Sequence, residues 1–463
     1  MSRNINPEKK QMMLEENVRT LIPRMAVPTI IAQMITTIYN LVDTYFVSTL
    51  GTNATAAVGV NSSLERMITI IGSLIGAGAC SYIARLLGAK KEKEADRVLS
   101  TSFLTGAGLG IVFLIVGRLL MSRMVFWLGA TEECATYSMQ YANYVLLAAP
   151  AMIGSFILNM CLRSEGSATY AMIGIGFGGI LNCFLDPLFI YKFGLGVAGA
   201  SMATAISKYV SFIILLVPYL RRQTSVTIAF NRFRLVAEDV KEVVAIGSSS
   251  FFRSALTVVA SISINRVAGG YSTAALAALS VANRVMEFPF AIILGFGQGY
   301  QPVVGFNWGA KRYDRVRGSF RFSSRTALIG GGVMGLAMAL FAPQIIGWFS
   351  SGDPELVRLG TLCIRLQALA LPIHAWVAIV NHLAGGLGKA KIALLLATAR
   401  QGSCFIPILY PMSRIFGAEG IASVQAVADV LTLALAIPAM ISIKKMIDSA
   451  ETEENAVLMQ QQV

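Results

Sequence analysis

Two carboxylates in the first half of the chain stand inside apolar runs, where folding alone has little use for charge. Asp43 comes late in the first run, and Thr36, Tyr39, Asn40 and Asp43 recur at spacings of three, four and seven, which puts them on one helix face. In a later run Asn182 and Asp186 are four residues apart, with Pro187 directly after, so they too share a face. An ionisable side chain in such a segment costs at least roughly 2.5–3.5 kcal/mol on insertion scales and usually marks a pathway. Tyr141, Asn159, Ser201 and Thr204 offer further oxygens in neighbouring runs. Carboxylate, amide and hydroxyl oxygens together suit a hard cation such as Na+, and a carboxyl group in a poorly solvated pocket can carry H+ instead. Pro28, fifteen residues before Asp43, removes a backbone donor and is expected to act as a hinge in its helix.

Apolar helices must hold these groups. Hydrophobic residues make up 55% of the 463 and charged residues 14%, against about 25% charged in a soluble domain. Twelve stretches of roughly 20 or more largely apolar residues are each long enough to cross a hydrocarbon core of about 30 Å. The expected class is an all-α integral membrane protein. The net charge of +13 follows topology and gives no support to nucleic-acid binding. Lys90, Lys91, Lys93 and Arg97 follow span 2, and Lys311, Arg312, Arg315 and Arg317 follow span 8, whereas the connections after spans 1, 7 and 9 hold no Lys or Arg. The positive-inside rule then puts both termini and the even-numbered loops in the cytoplasm of a cell inner (plasma) membrane.

The chain is an internal duplication. Gly76, Gly78, Gly88, Ala89 and Lys90 reappear 221 residues later as Gly297, Gly299, Gly309, Ala310 and Lys311, and Gly196 and Gly199 as Gly417 and Gly420. The expected organisation is a lead-in over 1–19, a first lobe of helices 1–6 over 20–220, a linker over 221–239, a second lobe of helices 7–12 over 240–443, and a tail over 444–463. Six spans per half make the repeats parallel, related by a pseudo-two-fold axis along the membrane normal, a recurring transporter construction.

The second half carries its own charges within the spans: Arg253, Glu287, Arg400 and Asp429. Pairing lowers the cost of such groups, and Glu287 with Arg253 is the expected pair. Tyr39, Asn40, Glu287, Asp429 and Arg253 are candidate substrate contacts. His374 and His382, eight residues apart, miss the i, i+4 spacing of a metal pair on one helix. The six cysteines contain no Cys-x-x-Cys, and neither a cofactor motif nor a His-Glu-x-x-His or Gly-x-Ser-x-Gly enzyme signature is present, so no enzyme activity is expected.

The stretch from Pro28 to Gly51, the segment from Gly297 to Arg312, Leu162–Gly166 (LRSEG) and Asn182–Pro187 (NCFLDP) together resemble the MATE (multidrug and toxic compound extrusion) family over nearly the whole chain, and within it the MepA-type branch. The resemblance implies a twelve-helix, V-shaped protein of two six-helix lobes that exports organic cations in exchange for Na+ or H+ by alternating access, working as a monomer. The cation site of DinF-like members maps onto Asp43, Asn182, Asp186 and Thr204, with Tyr141 and Asn159 nearby. The acidic pair of NorM-like members on helices 7 and 10 has no counterpart here. A lipid-linked-oligosaccharide flippase of similar bundle architecture is the alternative; it predicts a broad cationic cavity with several inward Arg residues and little dependence on Asp43.

Overall fold

A computed structural model describes residues 7–349 and 353–461; the outer ends of the expected lead-in and tail, 1–6 and 462–463, lie outside them. The first lobe contains α2 (Val18–Ser48), α3 (Thr52–Gly88), α4 (Glu92–Leu119), α6 (Glu132–Ser164), α7 (Ala168–Pro187) and α8 (Gly196–Leu220). The second contains α9 (Ala237–Gly269), α10 (Thr273–Gly309), α11 (Tyr313–Gly347), α12 (Pro354–Gly386), α13 (Ala390–Thr398) and α14 (Phe405–Gln461). Two short helices, α1 (Pro7–Glu15) and α5 (Met121–Trp127), lie outside the spans. Among the described residues eleven helical stretches are long and apolar enough to cross a membrane, and one of them, Ala390–Val457, has 68 residues, enough for two crossings. Gly417 inside it has φ 59° and ψ −138°, a left-handed break that returns the count to twelve.

Backbone geometry repeats with the sequence. Gly196 and Gly417 have φ of 54° and 59°, and Lys90 and Lys311 have φ of 60° and 58°, so each copy turns at the same points. The duplication also contains a slip not apparent from the glycine pattern. Asn159 donates to the Ala171 carbonyl at 2.8 Å and Asn381 to the Ala393 carbonyl at 2.7 Å, an offset of 222, one more than between α3 and α10.

The lobes cross most closely at the end marked by the basic loops. A Cβ added to Gly78 would stand 2.0 Å from the Val243 carbonyl oxygen, and one added to Gly247 1.8 Å from that of Leu74; only glycine lets these backbones meet. Ion pairs surround the crossing. Arg97 holds Asp239 at 2.7 Å, and Arg85 holds Glu242 at 2.7 Å. Away from this end the helices diverge around a cavity.

Two buried acids fasten the inter-lobe linker to the first lobe. Asp96 accepts from the Thr227 amide at 2.7 Å, and Glu165 accepts from the Ser225 amide. Lys9 reaches the same corner, donating to Ser167 Oγ at 2.7 Å and to the Gln223 carbonyl at 3.1 Å. Burial pushes the Glu165 carboxyl up to about 7, with Lys9 and the Ser225 amide opposing. A carboxyl raised from 4.5 in the docked state holds its proton more tightly there than when released, so docking is favoured below pH 4.5 and weakens as pH rises toward 7. Hydrogen exchange at Ser225 and its neighbours, corrected for intrinsic rates, should therefore accelerate across that window, and Glu165→Gln should flatten the dependence.

The expected tail is structured further than its composition suggests. α14 continues past position 443 to Gln461, because Lys311 pairs with Glu454 at 2.5 Å and Arg317 with Asp448 at 2.8 Å and with Glu451. These pairs tie the polar extension to the start of α11.

Candidate functional site

A cavity of about 1030 Å³ lies between the lobes, lined by polar side chains of both. In the first lobe α2 presents Thr36, Tyr39, Asn40 and Asp43 to it, the face expected from their spacing. Asp186 is fully buried behind that wall and Asn182 is 2% exposed; Asn182 Nδ2 donates to Asp186 Oδ1 at 3.0 Å and to Thr204 Oγ1 at 3.4 Å. Directly after Pro187 the helix widens into a π-helical turn, Leu188–Lys192, a form often found at functional sites.

α2 and α7, which carry Asp43 and Asp186, pack side by side. Carboxylates gathered in a poorly solvated place favour a proton or a cation held among them. Asp43 Oδ1, Asp186 Oδ2 and Asn182 Oδ1 are buried without a hydrogen-bond donor. Three oxygens left open at one place form a receptor for positive charge, since a buried acceptor without a partner carries a desolvation cost of about 1–3 kcal/mol.

The remaining first-lobe candidates divide. Tyr141 reaches Glu65 Oε1 at 3.4 Å, on the border of the same oxygen-rich wall. Asn159 turns elsewhere: its amide is held by the Ala171 carbonyl, and its Oδ1 accepts from Arg163 at 2.5 Å. Arg163 in turn crosses to Gln298 of the second lobe at 2.6 Å, so Asn159 belongs to a polar floor between the lobes. Pro28 sits within a continuous α2, where α10 seats Gly295 and Gly299 against Ile30 and Ala26 on either side of it.

Glu65 is a correction to the sequence reading, which found only two acids within the first-lobe spans. It lines the cavity from α3 beside Arg66, and a Glu-Arg dipeptide within an apolar run gives the impression of local compensation. Its signal was its depth, eleven residues inside a run starting at 54. Lys208 also faces this wall, donating to the Tyr39 hydroxyl at 2.6 Å with its ammonium 4.7 Å from the ring centre. The 221-residue shift aligns Lys208 with Asp429, yet the two side chains have different local partners.

The second-lobe pairing is also corrected. Arg400, not Arg253, has the carboxylate: its Nε is 2.6 Å from Asp429 Oδ1, and its guanidinium lies 4.5 Å from the Phe290 ring centre. A π-helical turn, Ala399–Ser403, carries Arg400 inward from α13 to meet α14, a detour the helical spacing does not reveal. Glu287 instead faces the cavity from α10, exposed and, among the described residues, in no ion pair. Asp429→Asn should leave the half-buried Arg400 uncompensated and lower stability by about 3–5 kcal/mol, measurable as a large fall in the unfolding temperature of the solubilised protein.

Two helical bundles related by an internal duplication, enclosing a polar cavity and closed at one end, define a membrane transporter and not an enzyme. The MatE family pattern matches residues 28–188 and 249–411: the chain belongs to the MatE family. It is 27% identical to the multidrug export protein MepA of Staphylococcus saprophyticus, over 93% of this chain and 95% of that one. It is 26% identical to MepA of Staphylococcus aureus over 86% and 87%. Its fold matches a crystal structure of MATE in complex with MaL6 with a TM-score of 0.89 at 24% identity, covering 96% of this chain and 99% of that one.

Proposed function

We propose that the protein is a cation-coupled multidrug antiporter that exports organic, mainly cationic, compounds by alternating access, with Na+ or H+ as the coupling ion. The observation that carries this reading is the set of donorless oxygens on Asp43, Asn182 and Asp186 at the cavity wall. Thr204 and Tyr141 border that set, and Asn159 acts from the floor. Asp43 and Glu65 offer carboxylates to an organic cation on a first-lobe wall that also carries Arg66, Arg163 and Lys208. The Staphylococcus relatives are named as multidrug exporters, which supports the same direction of transport. The flippase alternative is not carried forward, because the chain belongs to the MatE family.

Alternating access follows from competition. A ligand shifts a conformational equilibrium only by its differential affinity for the two states. The coupling ion at Asp43 and Asp186 and the drug in the adjoining cavity draw on the same negative charge, so each weakens the other reciprocally. The basic loops surround the closed end, which supports a cavity open to the outside and both termini in the cytoplasm. A complete cavity within each chain supports the monomer as the working unit. Reconstitution into proteoliposomes, with pH and Na+ gradients imposed independently and efflux of a fluorescent organic cation as readout, tests the reading. Efflux driven by either gradient is expected, and efflux indifferent to both overturns ion coupling.

A further inference from the structure

The linker between the lobes is more than a polar connection. Five of the 21 residues from 221 to 241 are Arg or Lys, yet its outer face also carries Phe230 at 81% exposure, Leu235 at 64% and Phe233 at 44%. Three large apolar side chains within six residues, left open and rimmed by charge, mark a surface that meets something other than water. The helix before it shows what that is. Ile206, Ile213 and Leu220, spaced by seven on α8, are all exposed, so a lipid-facing stripe of α8 ends where the linker begins.

The linker is held at the membrane border. Two buried hydroxyls of α4 fix its backbone: Ser100 donates to the Thr227 carbonyl at 3.3 Å and accepts from the Ala229 amide at 3.1 Å, and Thr101 donates to the Arg234 carbonyl at 3.1 Å and accepts from the Arg234 amide at 3.3 Å. Ser100 stands eight residues after Glu92, the first residue of α4, or about 12 Å along the helix, and just inside the apolar run that opens at Val98. A headgroup layer is only roughly 5–7 Å deep, so the segment bonded to Ser100 and Thr101 lies where headgroups give way to acyl chains. Asp96 turns Arg232 inward at 3.4 Å. Arg221, Arg222 and Arg234 are exposed and, among the described residues, in no ion pair.

We infer that the outer face of the linker is a docking surface for anionic phospholipids of the cytoplasmic leaflet, with Phe230, Phe233 and Leu235 seated among the acyl chains and Arg221, Arg222 and Arg234 on the headgroup phosphates. Apolar and basic side chains interleaved along one short segment match the two contacts that such a lipid offers. A zwitterionic lipid satisfies the apolar half alone, because its own ammonium meets the arginines with like charge. The docked linker braces the start of α9, which follows at Ala237 and whose Asp239 and Glu242 hold Arg97 and Arg85 across the lobe crossing. None of this depends on which compounds the cavity takes.

The test uses the purified full chain in nanodiscs of phosphatidylcholine with a minor share of phosphatidylglycerol. Trp127, Trp308, Trp348 and Trp376 are replaced by Phe, and Phe230→Trp supplies a single indole. Bromine, which quenches an indole only at near contact, is placed on the acyl chains either of the phosphatidylglycerol or of an equal amount of the phosphatidylcholine. Both should quench, the brominated phosphatidylglycerol at least about twofold more strongly, and Arg221→Gln, Arg222→Gln and Arg234→Gln together should bring the two to equality. Ile329→Trp in the same background, on an exposed face of α11, should be quenched equally by both lipids and shows that the background folds. No quenching of the Phe230→Trp protein beside a quenched Ile329→Trp protein puts the linker in water and overturns the docking surface. Equal quenching by the two lipids, or an excess that survives the three arginine replacements, overturns the anionic partner. If the tryptophan-free background does not fold, native mass spectrometry of the phosphatidylglycerol retained by the unmodified chain and by the triple arginine variant decides: a loss of about twofold or more is expected in the variant, and equal retention overturns the proposal.

Discussion

Asp43→Asn should yield a folded, membrane-inserted protein that still binds drug but no longer lets the coupling ion influence that binding. The amide keeps the size of the carboxyl but cannot carry a negative charge or a titrating proton, and Asp43 faces the cavity. Coupling free energies of about 1–3 kcal/mol change one ligand's affinity about 5–150-fold when the other binds. That factor should collapse to near one in the variant, and gradient-driven efflux should disappear with it. Asp186→Asn should have a similar effect, whereas Thr204→Ala should be milder, because a neutral hydroxyl contributes less Coulomb energy than a carboxylate. Drug titrations across a Na+ and pH series, on protein of normal unfolding temperature, give the answer. Retained ion dependence in Asp43→Asn would remove Asp43 from the coupling machinery, and equal losses in all three variants would indicate a packing defect.

The helical architecture was legible because membrane insertion writes it into composition. Twelve apolar runs, a 221-residue repeat and the glycines within it specify two parallel six-helix lobes before any contact is known. The α2 cavity face was legible for a related reason: Thr36, Tyr39, Asn40 and Asp43 lie on a regular helix, where spacing gives direction. The second-lobe pairing was not, because Arg400 lies in a π-helical turn that re-aims it toward Asp429, and a 3.6-residue period does not describe that turn. Asn159 was misdirected differently. Its depth and type suit an ion site, but an arginine one turn further along α6 takes its oxygen. Glu65 was hidden by the arginine beside it, and the α14 extension by acids whose partners are far away in sequence.

Gly247→Ala should move the lobes toward the state open at the basic-loop end, with little effect on the oxygen set at Asp43. The crossing of α9 over α3 is a backbone contact on both sides, Gly247 against Leu74 and Gly78 against Val243. A methyl at Gly247 would stand 1.8 Å from the Leu74 carbonyl oxygen, against about 3.3 Å for the closest comfortable carbon–oxygen approach. No side-chain rotation relieves a clash with a carbonyl, so the helices must part by more than roughly 1 Å. Parting strains the Arg97–Asp239 and Arg85–Glu242 pairs that span the same seam. Overpacking of this kind costs about 1–3 kcal/mol, and it falls only on the state in which the crossing is closed, so the ratio of closed to open molecules should drop about 5–150-fold. Spin labels at the exposed positions Lys93 and Lys391, one in each lobe, with the native cysteines replaced, report that ratio as a distance distribution. A longer population should grow in Gly247→Ala, grow further with Gly78→Ala, and recede when an excess of an externally added organic cation selects the closed crossing. An unchanged distribution in the double variant would mean that this crossing does not open during transport, and the cavity would then need another route to the cytoplasm.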